Sequence, residues 1–174
     1  MRHPLKFIPQ TLRKSLFYFF FVFMLVIFGV FRPLDVPLQT PAAPNGIVSF
    51  ELARTSDSSQ SIIQSWDSNA RLVAAFGLGF DYLFMPVYAL ALSLGLLLAG
   101  NGKVTWYHNL TTWLGWGAFV AGLFDMVENY ALWRSLIGSL DPMFPQIAAF
   151  CATIKFILLI AGLLTALASK AVKE

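Results

Sequence analysis

Asp81, Asp125, Glu128 and Lys155 interrupt long apolar stretches of the sequence, and any chemistry this chain performs would come from them. An insertion scale places the cost of a central Asp, Lys or Arg at roughly 2.5–3.5 kcal/mol, so such groups need partners or water. Two acids on neighbouring helices could share one proton and activate water. The same acids and a lysine could instead neutralise one another as a polar lock, or hold a cation or a cationic ligand. Glu128 and Asn129 sit three and four residues after Asp125 and therefore share its helix face. Tyr82, Tyr88 and Asn129 add hydrogen-bonding capacity. Pro86 adds a defect, because it has no N–H for the Tyr82 carbonyl.

Three carboxylates against one ammonium leave an excess of negative charge that an apolar interior rejects. Either acids are protonated, or Arg71 and Arg134 reach in from the outer boundary, or a cation is bound. Lys155 is expected to pair with Asp125 or Asp81, and Glu128 to sit nearer the outer mouth.

The elements that must position these groups are membrane spans. Of the 174 residues, 57% are hydrophobic and only 12% charged, about half the charge of a soluble domain. Mean hydropathy is +0.68. Residues 15–31 form a first transmembrane helix behind a basic segment, 1–14, which carries Arg2, Lys6, Arg13 and Lys14. That start could also be a secretory signal, but Pro37, Pro41 and Pro44 crowd the place where cleavage would fall, and an uncleaved anchor is expected. Residues 72–168 hold three more spans, at about 72–99, 110–133 and 144–168. Gly100, Asn101 and Gly102 separate the first two of these, and Gly138, Asp141, Pro142 and Pro145 the last two. Connections this short make the neighbours antiparallel.

The fold expected is therefore all-α, a membrane-spanning antiparallel four-helix bundle. Lys103, Lys170 and Lys173 join the N-terminal basic residues on one side, against Arg32, Arg54, Arg71 and Arg134 on the other. Both termini are therefore expected in the cytoplasm of a multi-pass cell-membrane protein, with 169–174 as its tail. Trp106, Tyr107, Trp113 and Trp116 at one end of the third span, and Tyr130 and Trp133 at the other, read as interfacial belts.

The outer loop, 32–71, is expected to run extended through its prolines to Asn45 and then to turn amphipathic at Ile47, Phe50 and Arg54. Asp57 with Gln60 makes an N-cap pair ahead of Ile62, Ile63, Trp66, Ala70 and Val73, which mark one helical apolar face. This amphipathic outer-loop helix would be a collar over the bundle mouth, or a lid or partner-docking surface.

Helix rise places Asp81, Asp125 and Lys155 about 13, 12 and 16 Å below the outer ends of their spans, one common layer. Small residues on the same faces, Gly77, Gly117, Ala121, Ala148, Ala152 and Gly162, allow close helix approach and turn the charges inward.

Several chemistries are disfavoured. The single Cys151 excludes a disulfide framework, a CxxC redox centre and a cysteine zinc site. His3 and His108 lie outside the deep apolar runs, which argues against a haem held in the bundle and against a buried catalytic histidine. A lysine in the acid layer competes with a hard cation, so no metal is expected and no cofactor is assigned. No P-loop is present and the basic residues are scattered, so nucleic acid is not a partner. Intramembrane aspartyl proteases share a Gly-x-Gly-Asp element, whereas this chain has Gly122-Leu-Phe-Asp125.

The stretch Gly46-Ile-Val-Ser-Phe-Glu-Leu-Ala53, Asp81-Tyr82 before Pro86 and Tyr88, Asp125-Met-Val-Glu128-Asn129, and Lys155 together resemble a pattern of uncharacterised bacterial four-span integral membrane proteins. The resemblance covers most of the chain after Arg32. It implies a bacterial-type membrane protein without a named activity, and it adds Glu51 to Arg71 and Arg134 as an outer-mouth candidate. The expected function is non-enzymatic: a partner subunit or small-ligand-binding bundle whose buried layer of Asp81, Tyr82, Asp125, Glu128, Asn129 and Lys155 opens toward the outer side. Its partners would be the lipid bilayer and a membrane-protein partner or a second copy. The alternative is an intramembrane aspartyl-type hydrolase using Asp81 and Asp125.

Overall fold

The apolar stretches form helices longer than the sequence bounds. In the computed structural model, which describes residues 1–172, α1 runs over Gln10–Asp35 and a 3-10 turn over Val36–Leu38. Two short helices come next, α2 (Ile47–Glu51) and α3 (Ser56–Ser65), and then α4 (Ser68–Ala99), α5 (Thr105–Leu136) and α6 (Met143–Ala168). The fold is an all-α bundle, and α1, α4, α5 and α6 are each long and apolar enough to cross a membrane. Among the described residues there is no strand, only an isolated bridge between Thr40 and Ala43. Lys173, counted with the tail, lies outside the described residues.

The chain divides into two units. One, the loop unit, comprises Val26–Phe84 and Phe124–Ile154; the other, the terminal unit, comprises Met1–Leu25, Met85–Leu123 and the chain from Lys155 onward.

In the loop unit, Trp66 organises the α1–α4 connection. Its ring is buried edge-on against Phe50, and its indole N–H donates to the Leu38 carbonyl at 2.8 Å. Ile62, Ile63, Ala70, Ala74, Leu132 and Phe144 complete the apolar core. The expected extended run from Arg32 to Asn45 is corrected. Helix α1 continues through Pro33 to Asp35, and Pro37 lies in the first turn of the 3-10 segment, where a missing N–H costs nothing. Asp35 then clasps the far end of the loop, its carboxylate accepting from the Ile47 N–H at 2.8 Å and from the Gln39 amide at 3.3 Å. Gly46 makes this possible: its φ is +55° and a Cβ there would overlap the Asp35 carboxylate.

The helix start expected at Asp57 is also corrected. Thr55 caps α3, its hydroxyl accepting from the Ser58 N–H at 3.2 Å, and Asp57 sits inside the first turn, where a negative charge suits the helix N-terminus. Nor is the Ile62-to-Val73 face one helix. Trp66 is extended at the end of α3, and Asp67 starts α4 by accepting from the Ala70 N–H at 2.7 Å. A capping carboxylate directly after a residue pinned by its side chain breaks the helix there.

In the terminal unit the helices approach through small residues. Phe17 lies 3.1 Å from where a Cβ of Gly95 would sit, Leu92 3.0 Å from that of Gly162, and Leu158 3.4 Å from that of Gly117. Gly77, expected to serve the same purpose on the loop unit's part of α4, meets nothing within 4 Å. Trp106, Trp113, Trp116, Tyr130 and Trp133 are exposed as belt residues should be. Tyr107 is not: it is buried, and its hydroxyl donates to the Thr165 carbonyl.

The N-terminal segment is held against α5. Trp116 donates its indole N–H to the Arg2 carbonyl at 3.1 Å, and the His3 ring occupies the space left by the absent side chain of Gly115. His3 is therefore a buried histidine, contrary to expectation, although it lies ahead of the first span. The Leu5 N–H donates to His3 Nδ1 at 3.2 Å, which fixes the proton of the neutral ring on Nε2. Burial, reinforced by His108, Arg13 and Lys6, lowers the His3 pKa from 6.5 to about 4. A released segment would take up a proton below 6.5 that the docked one refuses down to about 4, so docking is complete above 6.5 and weakens as pH falls through this window. A pH titration of Trp116 fluorescence should show the loss. A His3→Gln protein should not; an equal response in that variant would assign the transition to another group.

Candidate functional site

On α5 the polar residues fall on the inward stripe. Ala121, Asp125, Glu128, Asn129, Leu132 and Ser135 are buried, while Met126, Val127 and Tyr130 between them are exposed, so helical period alone turns the acids from lipid. Glu128, expected nearer the mouth, is fully enclosed at 0% exposure. On α4 the buried series Ala70, Ala74 and Leu78 leads to Asp81, which is half-buried.

Asn129 joins the two helices. Its side-chain amide donates to the Asp81 carboxylate at 2.8 Å and to the Leu78 carbonyl at 3.2 Å, committing both N–H groups. Tyr82 takes a different position from the one expected. It is 42% exposed, and its hydroxyl reaches across to donate to the Met126 carbonyl at 3.2 Å. The loop unit thus joins Asp81 to Asn129, and Tyr82 to the α5 turn that carries Asp125 and Met126, with Glu128 one turn along α5 from Asp125.

Lys155 belongs to the terminal unit. It is 5% exposed, on the α6 face that carries Ala148 and Ala152, and its ammonium lies 4.8 Å from the centre of the Phe156 ring.

Arg71 and Arg134, one of the three ways of balancing the acids, are engaged elsewhere. Arg71 donates from Nε to the Ile63 and Trp66 carbonyls at 3.0 and 3.1 Å, satisfying the carbonyl end of α3. Arg134 donates to the Tyr130 hydroxyl at 3.2 Å and stacks over the Phe144 ring at 4.9 Å. Glu51 ends α2 and is half-buried. Among the described residues, no three His, Cys, Asp or Glu side chains gather as a metal site requires.

Nothing in the sequence marked the Trp66–Leu38 bond. The only cue to the Asp35 clasp was an acid ahead of Pro37 and a glycine shortly before an apolar turn. His3 gave no cue, because its burial depends on a glycine in a distant helix. No protein-family model matches the chain, and no curated protein and no solved structure matches it either.

Proposed function

We propose that this multi-pass membrane protein is non-enzymatic and acts as a partner subunit or small-ligand-binding bundle. Its working feature is a polar layer of Asp81, Asp125, Glu128, Asn129 and Lys155, open toward the outer side, with both termini in the cytoplasm. The observation that carries this reading is the Asn129 amide fixed on Asp81, beside two acids that are buried outright. An amide donor fixed on one carboxylate suits a lock or a cation-accepting site. Lys155 enters the layer on charge balance, as a buried cation at the depth that helix rise gives the acids.

The test is copurification. Protein extracted in mild detergent should carry a stoichiometric membrane-protein partner or small cationic molecule, detectable by native mass spectrometry. Glu128→Gln, which keeps shape and removes the charge, should lower its occupancy about tenfold while helix content is unchanged. Wild-type occupancy in that variant would overturn the reading.

A further inference from the structure

A second candidate site lies on the loop unit, apart from the acids. A cleft of about 370 Å³ is lined by Arg54, Gln146, Ala149, Phe150, Thr153 and Ile154. Its α6 wall is a stripe at three- and four-residue spacing, Gln146, then Ala149 and Phe150, then Thr153 and Ile154, about 12 Å along a span. The wall is more apolar than its composition suggests. The Thr153 hydroxyl donates back to the Ala149 carbonyl at 2.7 Å, which leaves its methyl group to the cleft.

Arg54 supplies the charge, and it does so from an unusual backbone. It is the one non-glycine residue with positive φ among the described residues, at +61°, in a tight turn where the Thr55 N–H donates to the Ala53 carbonyl at 2.7 Å. A glycine or asparagine would adopt this conformation more readily, so the long cationic side chain is retained at a conformational cost. The other arginines of the unit are engaged: Arg71 on α3 carbonyls, Arg134 on Tyr130 and Phe144, and Arg32 on the Phe28 ring. The Arg54 guanidinium has no hydrogen bond or ion pair among the described residues.

A lone cation heading an apolar groove on a membrane-spanning helix has the polarity of an anionic amphiphile. We propose that the cleft binds an anionic phospholipid, its phosphate on Arg54 with the Gln146 amide beside it, and an acyl chain along Ala149, Phe150 and Ile154. The site is independent of the polar layer and stands whether or not that layer binds anything.

Delipidated protein in detergent, titrated with dioctanoyl phosphatidylglycerol and followed by native mass spectrometry, should bind it at least about tenfold more tightly than dioctanoyl phosphatidylcholine. Arg54→Asn tolerates the positive φ and should lose that preference; Arg54→Lys should keep most of it. Phe150→Ala, at an exposed position, should weaken phosphatidylglycerol binding without unfolding the protein. Equal binding of the two lipids by the wild type, or unchanged phosphatidylglycerol binding in Arg54→Asn, overturns the proposal. Competition by inorganic phosphate as strong as by the lipid would show a free-anion site and overturn the acyl-chain part.

Discussion

Replacing Lys155 with methionine should destabilise the protein by about 3–5 kcal/mol, the usual consequence of removing one member of a buried charge pair. Lys155 is almost fully enclosed on α6, and methionine preserves most of its length and apolar contact. On the proposed reading the loss would come from charge, with a carboxylate left without its cation in apolar surroundings. For a chain of this size, thermal unfolding in detergent should fall by roughly 10 °C. The partner can then be identified by adding Asp81→Asn, Asp125→Asn or Glu128→Gln to the lysine variant. Neutralising the true partner should restore much of the stability, and the other two changes should not. An unfolding temperature unchanged by Lys155→Met would end the neutralisation idea.

Asn129→Leu should be nearly as costly, about 2–3 kcal/mol, since it strips donors from a carboxylate and from a backbone carbonyl at once. The Leu78 carbonyl already serves its own helix, so most of the loss belongs to Asp81. Adding Asp81→Leu to Asn129→Leu should recover more than half, because an apolar pair no longer requires solvation. If the double variant is as unstable as the sum of the single ones, Asn129 matters for packing and the clamp has no role. Asn129→Asp, which sets a second negative charge against Asp81, should be worse than Asn129→Leu at neutral pH.

Spans and inward-facing acids were legible because each arises from a local period. A run of about 20 apolar residues leaves the backbone no alternative to helix in lipid, and the positions of Asp125, Glu128 and Asn129 fix one stripe. Features that could not be read depended on partners distant in sequence. The α1–α4 connection looked extended because its prolines oppose helix interiors. Yet Pro33 is carried in the last turn of α1 and Pro37 in the first turn of the 3-10 segment, and bonds from Asp35 to Ile47 and from Trp66 to Leu38 close the loop. Tyr107 looked like a belt residue by type, but an acceptor at Thr165 draws it inside. Arg71 and Arg134 had the right positions to balance the acids. Instead Arg71 is held by the Ile63 and Trp66 carbonyls, and Arg134 by Tyr130 and Phe144.

Helix α1 fully encloses a single residue, Ile27, and turns Phe19, Phe21 and Phe28 outward, while Phe17, Phe20 and Phe31 pack against other residues. A segment so little dependent on neighbours can settle in lipid as soon as it leaves the ribosome, before the later spans have been translated. Its attachment to the rest of the loop then awaits Ile47, whose amide reaches the α1 carboxylate at Asp35. Asp35→Ala should therefore loosen the loop while leaving insertion of α1 unchanged.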